Sequence, residues 1–250
     1  MALALSVSRS RTGRLRALAE VLSLLLVPGL ALGQDGFVVQ PPNSAIRAGG
    51  ESPLVLHDAS GLSFPLRLGE LTRVGVDDYE SQTPGMGYGY RYQGAGPALG
   101  VEAIIYVYNL RVKDIPTDLN SPMLTQIRQL TRREIAQQAE SQSLFARQVF
   151  GNTLRMQGPN GSIEALFDGF TLGARAADPN SNHAPSESEE AAQRFRGYHF
   201  AALWTARNHF IKLKIVRGTQ SSATPEMLGS FVQEVLVQTH RANATNPRLP

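Results

Sequence analysis

The chain of 250 residues is 42% hydrophobic and 18% charged and has no cysteine, which is an ordinary globular composition. Thiol catalysis, thiolate metal centres and disulfides are thereby excluded. The formal charge of +3 lies wholly in the first 33 residues, where Arg9, Arg11, Arg14 and Arg16 stand against Glu20, so the rest is near neutral and has no field to collect nucleic acid.

Those four arginines precede an apolar run from Val21 to Leu32. Ala31-Leu32-Gly33 then puts small residues at the third and first places before a cut between Gly33 and Gln34. This is the layout of a Sec-type signal peptide over 1–33. The run has 12 residues, interrupted by Pro28 and Gly29, against the about 20 that a bilayer span requires, so no membrane span is expected after cleavage. Export without disulfides points to the periplasm, or to secretion from a bacterial cell.

Residues 34–53, with Pro41, Pro42, Gly49, Gly50 and Pro53, lack periodicity and are expected to be a flexible N-terminal segment. Folded structure is expected over 54–241 as a single domain. Leu54 to His57 and Leu62 to Leu66 flank the turn-forming tetrad Asp58-Ala59-Ser60-Gly61 and read as a hairpin. A strand follows from Leu71 to Tyr79. Next come Tyr88 to Tyr92 and Val101 to Tyr108, two alternating arms joined by the glycine-rich link 93–100. Pairing Tyr92 with Glu102 would gather Tyr88, Tyr90, Tyr92, Tyr106 and Tyr108 on one face; a slip of one residue sends the first three to the small aliphatic side. The sequence leaves that register open.

Ser121-Pro122 supplies a capping hydroxyl and a first-turn proline for a helix to about residue 140. Met123, Leu124, Ile127, Leu130 and Ile135 are placed on its inner side, with Arg128, Arg132 and Glu134 outside. Strands are expected over 144–157 and 162–172, joined through Gly158-Pro159-Asn160-Gly161, and residues 173–193 read as a mobile loop. Arg196 to Thr205 and His209 to Val216 form another hairpin about Arg207-Asn208. Thr224-Pro225-Glu226 opens a helix over 225–240 whose Met227, Leu228, Phe231, Val232, Val235 and Leu236 share a face; 242–250 is a frayed tail. Hairpins, helix, hairpins, helix is the order of an α+β fold with a largely antiparallel sheet.

No serine-hydrolase, zinc-protease or P-loop pattern occurs, and the five histidines form no close-spaced pair. His199 and His209 sit too far out of register to face each other across their hairpin. His183 with Glu187, Glu189 and Glu190 reads as a solvated acidic loop. Asp77, Asp78 and Glu80 read as a polar strand edge, and Lys212 and Lys214 as an exposed face or a guarded edge. No metal and no cofactor is expected. The informative feature is the concentration of five of seven tyrosines in one hairpin, since tyrosine suits a surface that is apolar in body and wet at the tip. With Arg91 and Trp204 they are the candidate binding residues.

The strand Gly61-Leu62-Ser63-Phe64-Pro65, the antiparallel hairpins, the intervening helix and the closing amphipathic helix after Trp204 to Val216 resemble the PsbP-like α+β fold over about residues 54–238. Asp78-Tyr79-Glu80, Pro84 to Tyr92 and Ile105 to Leu110 also look like a pattern of uncharacterised exported bacterial proteins. The resemblance implies a sheet sandwiched by helices and an accessory or docking role; a helix-grip lipid-cavity fold is the rival. Three functions are carried forward. The first is a non-catalytic accessory protein that docks on another envelope protein. The second is a carrier of a small apolar ligand or lipid in a tyrosine-lined cavity, and the third a hydrolase using His199 or His209. Oligomeric state is left open.

Overall fold

The computed structural model describes residues 30–33, 36–39, 54–158, 161–174 and 195–245. In chain order the strands are β1 (Leu30–Gly33), β2 (Gly36–Val39), β3 (Leu54–His57), β4 (Leu62–Pro65), β5 (Arg67–Leu68), β6 (Leu71–Asp78), β7 (Tyr88–Gly94) and β8 (Val101–Tyr108). Helix α1 (Pro122–Ser141) follows, then β9 (Leu144–Gly158), β10 (Gly161–Ala174), β11 (Phe195–Ala206), β12 (His209–Gly218) and helix α2 (Pro225–Thr245). The expected loop at 173–193 lies largely outside the described residues, as do His183 and its neighbouring glutamates and the Pro159-Asn160 pair. Strand β1 pairs with β2, so part of the segment expected to be irregular is a short hairpin; Gln34 falls outside the described residues.

Eight strands form one antiparallel sheet in the order β5-β6-β7-β8-β12-β11-β10-β9. Two meanders meet at β8 and β12, and α1 carries the chain from the middle of the sheet to its far edge. Strands β3 and β4 form a separate hairpin, with His57 opposite Leu62 as the Asp58–Gly61 turn requires. The fold is therefore α+β with a largely antiparallel sheet packed by two helices, as read from the sequence.

Each helix covers one face, because side chains alternate across a strand. Helix α2 and the β3–β4 hairpin pack on Tyr90, Tyr92, Ile105, Leu213 and Trp204. Helix α1 packs on Tyr108, Leu166, Leu203 and Phe210 through Leu124 and Ile127, and further along on Phe170 and Ala201 through Ile135. Ser121 caps α1 as expected, its Oγ accepting from the Leu124 N–H at 3.3 Å.

Strand β12 lies in the centre with both faces covered, and nine of its ten residues are buried. This corrects the reading of Lys212 and Lys214 as an exposed face: they are 3% and 4% exposed. An alternation of apolar and cationic residues looks half-solvated, but a helix across the second face removes the solvent. The inward turn of Glu134 is a second correction, since its carboxylate takes both ammonium groups. Arg128 and Arg132 also face the sheet and grip Asp168. The solvent side of α1 is Thr125, Gln129, Arg133 and Gln137.

Candidate functional site

The register of the tyrosine hairpin settles the first candidate. Tyr88 pairs with Val107, Tyr90 with Ile105 and Tyr92 with Ala103, one residue away from the pairing that would unite the five rings. Tyr88, Tyr90 and Tyr92 lie toward α2, while Tyr106 and Tyr108 share the opposite face with Arg91. Tyr90 and Tyr92 are 1% and 0% exposed, stacked on Phe64 and edge-on to Phe231 respectively. The Tyr92 hydroxyl donates to the Pro65 carbonyl at 2.8 Å, which explains a tyrosine where phenylalanine would also pack. The five rings thus form no continuous exposed face. Nor do they line a cavity under the C-terminal helix, because Phe64, Tyr90, Tyr92, Phe231 and Leu236 fill that space. The helix-grip alternative loses its cavity for the same reason.

Tyr106 and Arg91 belong to a band of charge beneath α1. Arg91 contacts Asp77 at 3.3 Å, and burial pushes the Asp77 carboxyl up, an effect Arg91 partly offsets. Tyr79 donates to the same carboxylate at 3.4 Å. Lys212 Nζ lies 4.7 Å from the centre of the Tyr106 ring and 3.0 Å from Glu134, and Lys214 is 2.9 Å from Glu134. Burial alone would raise the Glu134 carboxyl, but the two lysines outweigh it and hold it near 2. Asp77 is thus an internal ion-pair partner and not part of a polar strand edge.

The pattern from Asp78 to Tyr92 has a local cause. Glu80 folds back and accepts from the N–H groups of Gly85 at 2.8 Å and Gly87 at 2.9 Å, closing the loop. Gly87 has φ +67°, and a Cβ there would overlap the Val107 carbonyl, so only glycine fits. This run of residues is a latch on the sheet.

His199 and His209 lie apart. His209 stands beside Ala206 and His199 seven residues back along β11, roughly 23 Å apart, so the two do not face each other, as their spacing about the turn implies. His199 is buried under α1; burial, with Lys214 nearby, pushes it down to about 3, and its Nε2 has no hydrogen-bond partner among the described residues. His209 instead meets His57, a residue the sequence did not single out, with ring centres 5.2 Å apart. His57 Nδ1 lies 2.6 Å from Ser60 Oγ. Because the Ser60 N–H also donates to Nδ1, that nitrogen is the acceptor and the contact is a turn lock. Burial and the adjacent His209 push His57 down to about 4.

Trp204, another of the sequence-selected residues, lines a groove. It is 3% exposed, and its Nε1–H donates to Thr239 Oγ1 at 3.1 Å. The groove, of about 320 Å³, lies where one end of the sheet meets α2 and the 117–119 loop. Trp204, Ile163 and Leu236 supply apolar wall; Ser162, Glu164 and Thr205 supply polar wall. Glu164 accepts from Arg155 at 2.7 Å on the surface. Ser162, Glu164 and Thr205 carry no sequence signal of their own; they come together where β10 and β11 run on past the end of their ladder.

No family model matches the chain, and no curated protein matches it. Among solved structures it is similar to cyanobacterial PsbP (CyanoP) from Synechocystis sp. PCC 6803. That solution structure is 10% identical, with 78% of this chain and 97% of that chain covered, at a TM-score of 0.39. The superposition is loose.

Among the described residues no group of three or more histidine, aspartate or glutamate side chains is placed to hold a metal ion, and no helix is long and apolar enough to cross a membrane. The groove has the lining of a binding site. It offers an aromatic floor, hydroxyls and one carboxylate in a mixed lining of the kind that fixes a ligand's orientation.

Proposed function

We propose that this is an exported accessory protein of the bacterial envelope that acts by non-catalytic binding, and that the groove beside Trp204 is its binding site. The observation that carries the reading is the groove itself, about 320 Å³ with apolar and polar walls on residues held by two strands and a helix. The leader pattern over 1–33 supports export. Tyr90, Tyr92 and Tyr108 are assigned to the scaffold, being 1%, 0% and 4% exposed.

The test is native mass spectrometry of the protein purified from its own envelope fraction, beside a Ser162→Trp variant that fills the groove from an exposed position. Bound mass on the natural chain that is lost from the variant is the expected result. A bare natural chain, or identical bound mass on both, overturns the assignment.

A further inference from the structure

The ladder between β10 and β11 stops short. It runs from Gly173 opposite Phe195 to Leu166 opposite Leu203, although β10 begins at Gly161 and β11 continues to Ala206. Continued, the register would pair Glu164 with Thr205 and Ile163 with Ala206. Those residues instead form the two walls of the groove. The groove is therefore a splay between neighbouring strands, each held on its other side, β10 by β9 and β11 by β12.

Which main-chain groups face the opening follows from the turn after β11. Arg207 and Asn208 have φ of 49° and 57°, the two positive values of a type I′ turn, whose closing hydrogen bond joins Ala206 to His209. Ala206 therefore spends its N–H and C=O on β12. Alternation then turns those of Thr205 and Leu203 toward β10. Leu203 meets Leu166, so Leu166 turns toward β11, and Glu164 and Ser162 point the same way. Thr205 on one wall and Ser162 and Glu164 on the other present N–H and C=O groups to a gap that no strand of this chain occupies among the described residues.

We infer that the groove takes an extended peptide, which adds to these strand ends through main-chain hydrogen bonds. The inference deepens the binding function proposed above and rests on it. Main-chain pairing supplies affinity and alternate side chains supply selection. One peptide side chain would lie on Trp204 and Leu236 and is apolar. A neighbouring one reaches Glu164 and is basic; Arg155, the present partner of Glu164, is 73% exposed, so exchanging one exposed ion pair for another costs little.

The experiment selects displayed random dodecapeptides against the whole protein and measures affinity by anisotropy of the labelled winners. Thr205→Pro removes the groove-facing N–H without removing a bond to β12, whereas Thr205→Val keeps it and removes only the hydroxyl. Binding at least about tenfold weaker for Thr205→Pro, and within about threefold for Thr205→Val, is the expected result. Should Thr205→Pro not fold, N-methylation of alternate residues of the peptide, tested on the natural chain, reads the same bonds. Peptides that ignore both changes overturn strand addition. Failure to select any peptide also overturns it; if a small molecule is then found bound and its titration shifts the fluorescence of Trp204, the binding function survives, and if none is found both fall.

Discussion

Replacing Glu134 by glutamine preserves the shape of α1 and removes the charge that two buried ammonium groups share. The two lysines hold the carboxyl near 2 against an ordinary 4.5. At 1.36 kcal/mol per unit, that is about 3 kcal/mol of coupling between this carboxylate and the fold at neutral pH. Stranding two buried charges costs about the same, roughly 3–5 kcal/mol, so the expected loss is in that range. Burial already lowers the Lys212 pKa, and without Glu134 it falls further. In the variant the unfolded chain therefore binds more protons than the folded one as pH rises toward the ordinary value for lysine, and part of the loss is recovered between pH 7 and 10. The assay is urea unfolding followed by fluorescence of Trp204, the one tryptophan of the chain. A triple variant, Glu134→Leu with Lys212→Met and Lys214→Met, should recover most of the stability. A loss below about 1 kcal/mol, or one that does not shrink in alkali, would refute this reasoning.

Acid should destabilise the fold through its neutral histidines. His57 is held near 4 and His199 near 3, so below 6.5 the unfolded chain takes up protons that the folded chain refuses, and each costs about 2 kcal/mol at pH 5. Glu102, pushed up to about 7 by burial, acts with the opposite sign between 4.5 and 7, so Glu102→Gln should steepen the acid limb of a melting-temperature profile. Gly87→Ala should lose more than about 2 kcal/mol in the same urea assay, since positive φ costs 1–2 kcal/mol before the overlap with the Val107 carbonyl is counted. Thr239→Val leaves the Trp204 N–H without its acceptor and should cost about 1–3 kcal/mol with a shift in the emission maximum.

The element order, both helices and every large hairpin were legible because each had its own local signal: Ser121-Pro122 for a cap, Asn208 for a tight turn, alternation for the strands. What was misread or left open depends on neighbours. Lys212 and Lys214 read as solvated because a period of two carries no information about a helix lying across the second face. The tyrosine stripe needed a register, and one residue of slip separates a continuous aromatic face from rings divided between two cores. Trp204 was singled out for its chemistry, yet the groove beside it arises where two strands stop pairing, and Ser162, Glu164 and Thr205 look like any other strand residues until that splay is seen.

The most direct test places a photoreactive amino acid at Ser162, on the wall of the groove, and a second at Val149, an exposed position on the edge strand β9, in the protein as made in its own cells. Adduct formed from position 162 and not from 149 is the expected result. Adduct from 149 with none from 162 would contradict the assignment of binding to this groove.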